Sequence, residues 1–142
     1  MRAWLLFLLV LLQGLAGGRA CADVVVVVHV SSDIRQLSHE SVVNIFLGRY
    51  RGLAGGNAAL PIDQPESAAL REEFYRRLVK KNLNEINAYW SRLVFSGQTA
   101  PPLQVTRAAE ILPILANNRN AIAYVERSQV DKQLRVVTEL PP

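Results

Sequence analysis

Asp63, Glu66 and Ser67 fall in the stretch LPIDQPESAALREEFYRRLVKK, residues 60–81, where a short apolar run gives way to a proline, a serine and a charged amphipathic pattern. A strand, a tight loop and a helix start, in that order, can hold an oxyanion. The first amides of a helix have no intrahelical acceptor, and the helix dipole favours negative charge beside them. Here the donors would be the Ser67 hydroxyl and the backbone N–H groups of residues 66–69, Ala68 among them. The same residues also suit a helix that caps itself. Asp63-x-x-Glu66 fits a capping pattern, and Pro65 suits a first helical turn. Each carboxylate within ~4–6 Å of a bound anion would oppose it by roughly a kcal/mol or more. Residue chemistry alone leaves both readings open.

Two further places could contribute. In an open α/β sheet ligands sit beyond the carboxyl ends of the strands, which adds Ser31 and Ser32 after the first apolar run and Glu126-Arg127 after AIAYV. If those strands run parallel, both serine clusters converge with Ser67 on one edge. Other chemistry finds little support. His29 lies inside a valine run and His39 in a helix start, and no spacing of His, Asp and Glu matches a metal site. Gly52, Gly55 and Gly56 lack the Lys-Ser/Thr of a phosphate loop, and no Ser–His–Asp or Cys–His set can be assembled. An enzyme is the least supported class. Arg76, Arg77, Lys80 and Lys81 read as a solvated helix face, Tyr89 and Trp90 as core.

The elements that would position these residues follow from apolar periodicity. DVVVVVHV, residues 23–30, is β-branched with no polar alternation, so it must be covered on both faces, which points to a parallel-type sheet between helix layers. Ser38 can cap a helix whose buried face is Val42, Val43, Ile45, Phe46 and Leu47, and Gly48 ends it. LPI (60–62) is a short strand. A helix over 66–80 carries Leu70, Phe74 and Leu78. Another opens on a capping box of Asn82 and Glu85, carries Leu83, Ile86, Trp90, Leu93 and Val94, and stops at Gly97. Thr106 is placed to cap a fourth helix, with Pro113 a kink. AIAYV (121–125) and LRVVT (134–138) complete a single α/β domain, a helix-flanked mixed sheet over residues 23–142.

The first 22 residues read differently. Arg2, an unbroken apolar run over 5–12 and the small-x-small pattern Ala20-Cys21-Ala22 make a cleavable export signal, predicting a periplasmic or secreted protein. Gly18 stands where a lipoprotein signal carries a large aliphatic residue, which disfavours acylation at Cys21. Removing Arg2 and Arg19 takes the basic count from 16 to 14 against 12 acids, so the net charge falls from +4 to +2. Without a basic stripe and interleaved aromatics, nucleic-acid binding loses its electrostatic basis.

Four segments in order, LSHESVVNIFLGRY, LPIDQPES with REEFYRRL, YWSRLVF and NNRNAIAYVE, resemble the exported phosphate-binding proteins of ABC importers, in the periplasmic-binding-protein group. The resemblance runs over about residues 24–137; IFLG and AIAYVE are its more specific parts. It implies one lobe of a type II periplasmic binding protein, no cofactor, phosphate or another oxyanion as ligand, and a membrane transporter or sensor as partner. It covers only one of the two lobes that normally close on ligand, so a homodimer or partner chain could rebuild the cleft. It also departs in the ligand loop, which in the relatives resembles Arg-Ser-Asp-Gly-Ser-Gly-Thr. Ser67 matches the helix-start serine, Asp63 replaces the arginine, and Ala68 and Ala69 replace a glycine and a threonine. Arg71, one turn later, is the candidate replacement cation. Two readings follow: an oxyanion-binding protein using Ser31, Ser32, Ser67, Ala68 and Arg71, or an interaction module that keeps the fold without small-ligand binding.

Overall fold

The computed structural model describes residues 22–142. The export signal and Cys21 lie outside the described residues. The elements run β1 (Val24–His29), α1 (His39–Phe46), β2 (Leu60–Asp63), α2 (Ala69–Val79), α3 (Leu83–Phe95), β3 (Leu103–Gln104), a 3₁₀ turn (Ala108–Glu110), α4 (Ile111–Asn117), β4 (Ala121–Glu126), a second 3₁₀ turn (Arg127–Gln129) and β5 (Leu134–Glu139). The five strands form one mixed sheet in the order β3-β2-β4-β1-β5.

The valine run behaves as expected in one respect and not in another. Val24, Val26 and Val28 lie on the face covered by α1, α2 and α3, in one buried cluster with Phe46, Phe74 and Trp90 of those helices and Tyr124 of β4. Val25 and Val27 face the opposite layer, against Ile111 and Leu115 of α4. All five valines are fully buried, and each contributes about 1.5–3 kcal/mol of transfer free energy. Their direction is the correction. β1 pairs antiparallel with both β4 and β5, while β2 runs parallel to β3 and β4. Two-sided burial reports helix layers on both faces; it carries no information about strand direction.

Several boundaries also move. α2 starts at Ala69 rather than Glu66, because the chain after Pro65 makes a turn closed by the Ala68 amide on the Pro65 carbonyl. Its N-cap is Ala68, which offers no side-chain acceptor. Thr106 caps nothing; a 3₁₀ turn led by Arg107 precedes α4. Pro113 falls in the first turn of α4, where its missing N–H costs no helical bond. The capping box of Asn82 and Glu85 is present, with both reciprocal bonds at 2.9 Å. Gly48, just beyond α1, has φ +67°, and a Cβ there would lie 2.8 Å from the Trp90 ring. β3, a two-residue edge strand, has no periodicity a sequence could show.

Candidate functional site

The strand directions decide which candidates meet. The carboxyl ends of β2 and β4 lie at one edge of the sheet, beside the start of β1. Asp63, Ser67, Ala68 and Arg71 belong to that edge, as does Arg127, which pairs with Asp23 and Glu139. Ser31 and Ser32 follow the far end of β1 and stand at the opposite edge. There Ser32 is buried and donates to the Arg119 carbonyl at 2.6 Å, while Ser31 bonds His29 Nδ1 at 2.7 Å. The serine clusters therefore do not converge.

The centre of the first edge is Asp63 itself. Its side chain points inward and is nearly fully buried. One carboxylate oxygen, Oδ2, accepts from Arg71 Nε at 3.0 Å and from the Tyr75 hydroxyl at 3.0 Å. The other, Oδ1, accepts from the Gln64 amide at 2.9 Å and from the Tyr124 hydroxyl. Four donors, one of them cationic, satisfy a single buried carboxylate, the condition for burying such a charge at all. Asp63 is thus no capping residue for α2. It is an anion carried by the chain and set among the donors of the strand–loop–helix edge.

Each donor is held from behind. Tyr124 lies on the centre of β4, where its ring stacks on Phe74 with centroids 3.7 Å apart and planes 2° from parallel. Phe74 also meets Phe46 and Tyr75 edge-on at 4.9 and 5.0 Å. Gln64 donates its side-chain amide to the Tyr124 carbonyl at 3.0 Å, and Gln104 on β3 donates to the Gln64 carbonyl at 3.2 Å. Arg71, Phe74, Tyr75 and Leu78 form the inward stripe of α2 at i, i+3, i+4 and i+7. Arg77, expected on a solvated face, is buried and pairs with Glu73 and Asp23.

Ser67 lies outside this network. It is exposed, in the turn before α2. Of the residues proposed from sequence, Arg71 alone reaches the buried centre. Gln64, Tyr75 and Tyr124 were missed. The available signal was an arginine and a tyrosine inside an otherwise apolar helical stripe, four residues apart.

Burial, and then the Asp63 charge, push the Tyr75 and Tyr124 phenols well above their ordinary range. Burial works against the Arg71 cation, and the charge and hydrogen bond of Asp63 outweigh it, so Arg71 is raised. The phenols set a pH dependence. A group that holds its proton more tightly when folded contributes its full stability below its unfolded pKa, and loses it as pH rises above that value. Stability is therefore expected to fall from about pH 10 upward, with a slope approaching about 2.7 kcal/mol per pH unit for two phenols. Urea melts from pH 8 to 11 test this, and Tyr75→Phe should halve the slope.

The sheet order, the helix layers and the position of the loop after β2 define an α/β module resembling one lobe of a periplasmic binding protein. Several solved structures carry that likeness, two of them phosphate-transport proteins. One is an ABC-type phosphate transport receptor from Vibrio cholerae, with TM-score 0.62 and 17% identity over 82% of this chain and 46% of that one. The other, from Clostridium perfringens, is described as a phosphate ABC transporter substrate-binding protein with bound phosphate; it has the same TM-score and identity over 82% of this chain and 45% of that one. The chain thus spans less than half the length of the receptors it matches. No family model matches the sequence, and no curated protein matches it.

Proposed function

We propose that this chain is an exported, non-catalytic binding module of the periplasm, built on one lobe of the ABC-receptor fold and working with a transport or sensing partner. In this module the internal carboxylate of Asp63 replaces a free anion at the Asp63 centre. The observation that carries the reading is the saturation of Asp63 by Arg71, Tyr75, Tyr124 and the Gln64 amide. Phosphate competing for those donors would have to displace a tethered group and would meet the Asp63 charge at contact distance, a repulsion of several kcal/mol at an effective dielectric near ~20. The described residues form one wall of a cleft, and a second wall would be needed to desolvate a ligand. A homodimer would supply one.

A second reading has a specific support. The N-cap Ala68 gives the first amides of α2 no side-chain acceptor, and Ser67 stands exposed beside them. An oxyanion could dock there, outside the buried centre, as the resemblance to phosphate receptors implies. Thermal shift with phosphate and sulfate separates the two. The module reading expects no stabilisation at millimolar anion. Saturation at 100 times Kd would add about 2.7 kcal/mol, and a shift of that size, lost in Ser67→Ala, would establish the second reading instead.

A further inference from the structure

Away from the Asp63 centre, the end of α1, the end of α2 and the outer side of α3 meet around a cavity of about 490 Å³, within the range of small-molecule sites. Leu47 and Ile86 line it but are themselves almost fully buried. The apolar surface a ligand can reach belongs to Val79 and Tyr89, both half-buried, and to Ala88, which is exposed. The walls are helices tied to one another. The Tyr89 hydroxyl donates to the Leu47 carbonyl at 2.7 Å, joining α3 to the end of α1. His39 Nε2 donates to the Leu78 carbonyl at 2.9 Å, joining α1 to α2. Both bonds also occupy carbonyls at helix ends, where the dipole would otherwise disfavour a negative ligand. A site carried on packed helices is formed before its ligand arrives.

The charge around the cavity selects the ligand. Its lining carries three cations, Arg49, Lys81 and Arg92, against one carboxylate, Glu85. Glu85 is engaged twice: Oε2 accepts from the Asn82 amide at 2.9 Å in the capping box, and Oε1 lies 3.6 Å from Lys81 Nζ. Arg49 and Arg92 are exposed and make no ion pair or side-chain hydrogen bond among the described residues. Cations alone would be an ordinary solvated face, and an apolar hollow alone an ordinary irregularity of the surface. Here two uncompensated guanidinium groups border an accessible apolar wall, and a ligand that answers both must be apolar at one end and negative at the other.

We propose that this cavity binds a small amphiphilic anion, a carboxylate on a short aliphatic chain, with the chain against Val79, Ala88 and Tyr89 and the head toward Arg49 and Arg92. A guanidinium pairs well with a carboxylate, and removing the chain from water supplies the affinity that an exposed ion pair lacks. This binding goes beyond the module reading and is independent of it: the cavity shares no residue with the Asp63 centre or with Ser67.

Methyl resonances of Val79 and Ala88 in the ¹³C-labelled full chain provide the test, because they report on this cavity and not on probe bound elsewhere. Octanoate, kept below its micelle concentration, is the amphiphilic probe. Acetate supplies the head alone, and octyl glucoside the chain on a neutral head. Saturable shifts of both methyls with octanoate are expected, with acetate and octyl glucoside each at least about tenfold weaker. Replacing both exposed arginines, Arg49→Gln with Arg92→Gln, should weaken octanoate about tenfold while leaving the fold intact. No saturable shift with octanoate would overturn the proposal. Acetate binding as tightly as octanoate would overturn it by making the site a bare anion site, and octyl glucoside binding as tightly would do so by making it merely apolar. Unchanged octanoate affinity in the double variant would remove the arginines from the site and overturn it as well. None of these failures bears on the thermal-shift test of the module reading, which uses phosphate and sulfate and reports on the Asp63 centre and Ser67.

Discussion

Asp63→Ala is expected to cost about 3–5 kcal/mol, the range for removing one partner of a buried ion pair. A protein of this size is stable by only about 5–15 kcal/mol, so the variant should be marginal at room temperature. The loss follows from what stays behind. Arg71, whose side chain is 6% exposed, keeps its charge with no counterion. The hydroxyls of Tyr75 and Tyr124 and the amide of Gln64 lose their common acceptor. Asp63→Asn should recover little, because its amide nitrogen would turn a donor toward a cluster of donors. The informative result is chemical rescue. If Asp63 is an internal anion, formate should raise the melting temperature of Asp63→Ala at concentrations that leave the wild type unmoved. Equilibrium urea denaturation with and without formate measures both effects. A loss below about 1 kcal/mol would mean that Asp63 behaves as a surface cap, and the replacement of ligand by side chain would be refuted.

The sequence pointed to this loop but assigned its side chains the wrong direction. Asp63-x-x-Glu66 with Pro65 matches a capping signature, because such signatures are defined by residue type and spacing along the chain. Whether the carboxylate turns out to cap the first amides of α2 or in toward Tyr124 depends on β4, about 60 residues away, and no local pattern carries that. The same limit explains Ser31 and Ser32. Their position after a strand was legible, yet the strand runs antiparallel to its neighbours, so they end at the far edge. What could be read was whatever burial alone controls: the two-faced valine strand, the Phe46 and Trp90 helices, and the Asn82 capping box. The inward stripe of α2 stood halfway. Phe74 and Leu78 were visible at four-residue spacing; Arg71 was singled out only as a cation for a ligand, and Tyr75 on the same face was not singled out. A charged residue inside an apolar stripe is the signal worth keeping, since it must have a buried partner, and here that partner is the loop's own aspartate.

Phe74→Ala is expected to cost about 3–5 kcal/mol as a large-to-small change in a closed core, and its effect should reach the Asp63 centre. Phe74 is fully buried and touches three aromatic rings, stacked on Tyr124 and edge-on to Phe46 and Tyr75. Such pairs add about 0.5–1.5 kcal/mol each beyond burial. Two of those rings are the ones whose hydroxyls hold Asp63, so removing Phe74 loosens the donors as well as the core. The two mutations should therefore not add. In the Phe74→Ala background, Asp63→Ala should cost less than in the wild type, with a coupling within the ~0.5–3 kcal/mol seen for residues that share partners. Phe74→Leu keeps most of the volume and gives up the stacking, so a double-mutant cycle built on it isolates the aromatic contribution. Additivity within about 0.3 kcal/mol would show that the core and the Asp63 centre are independent. Coupling would show that the aromatic layer of the core is also what fixes the geometry of the anion's donors.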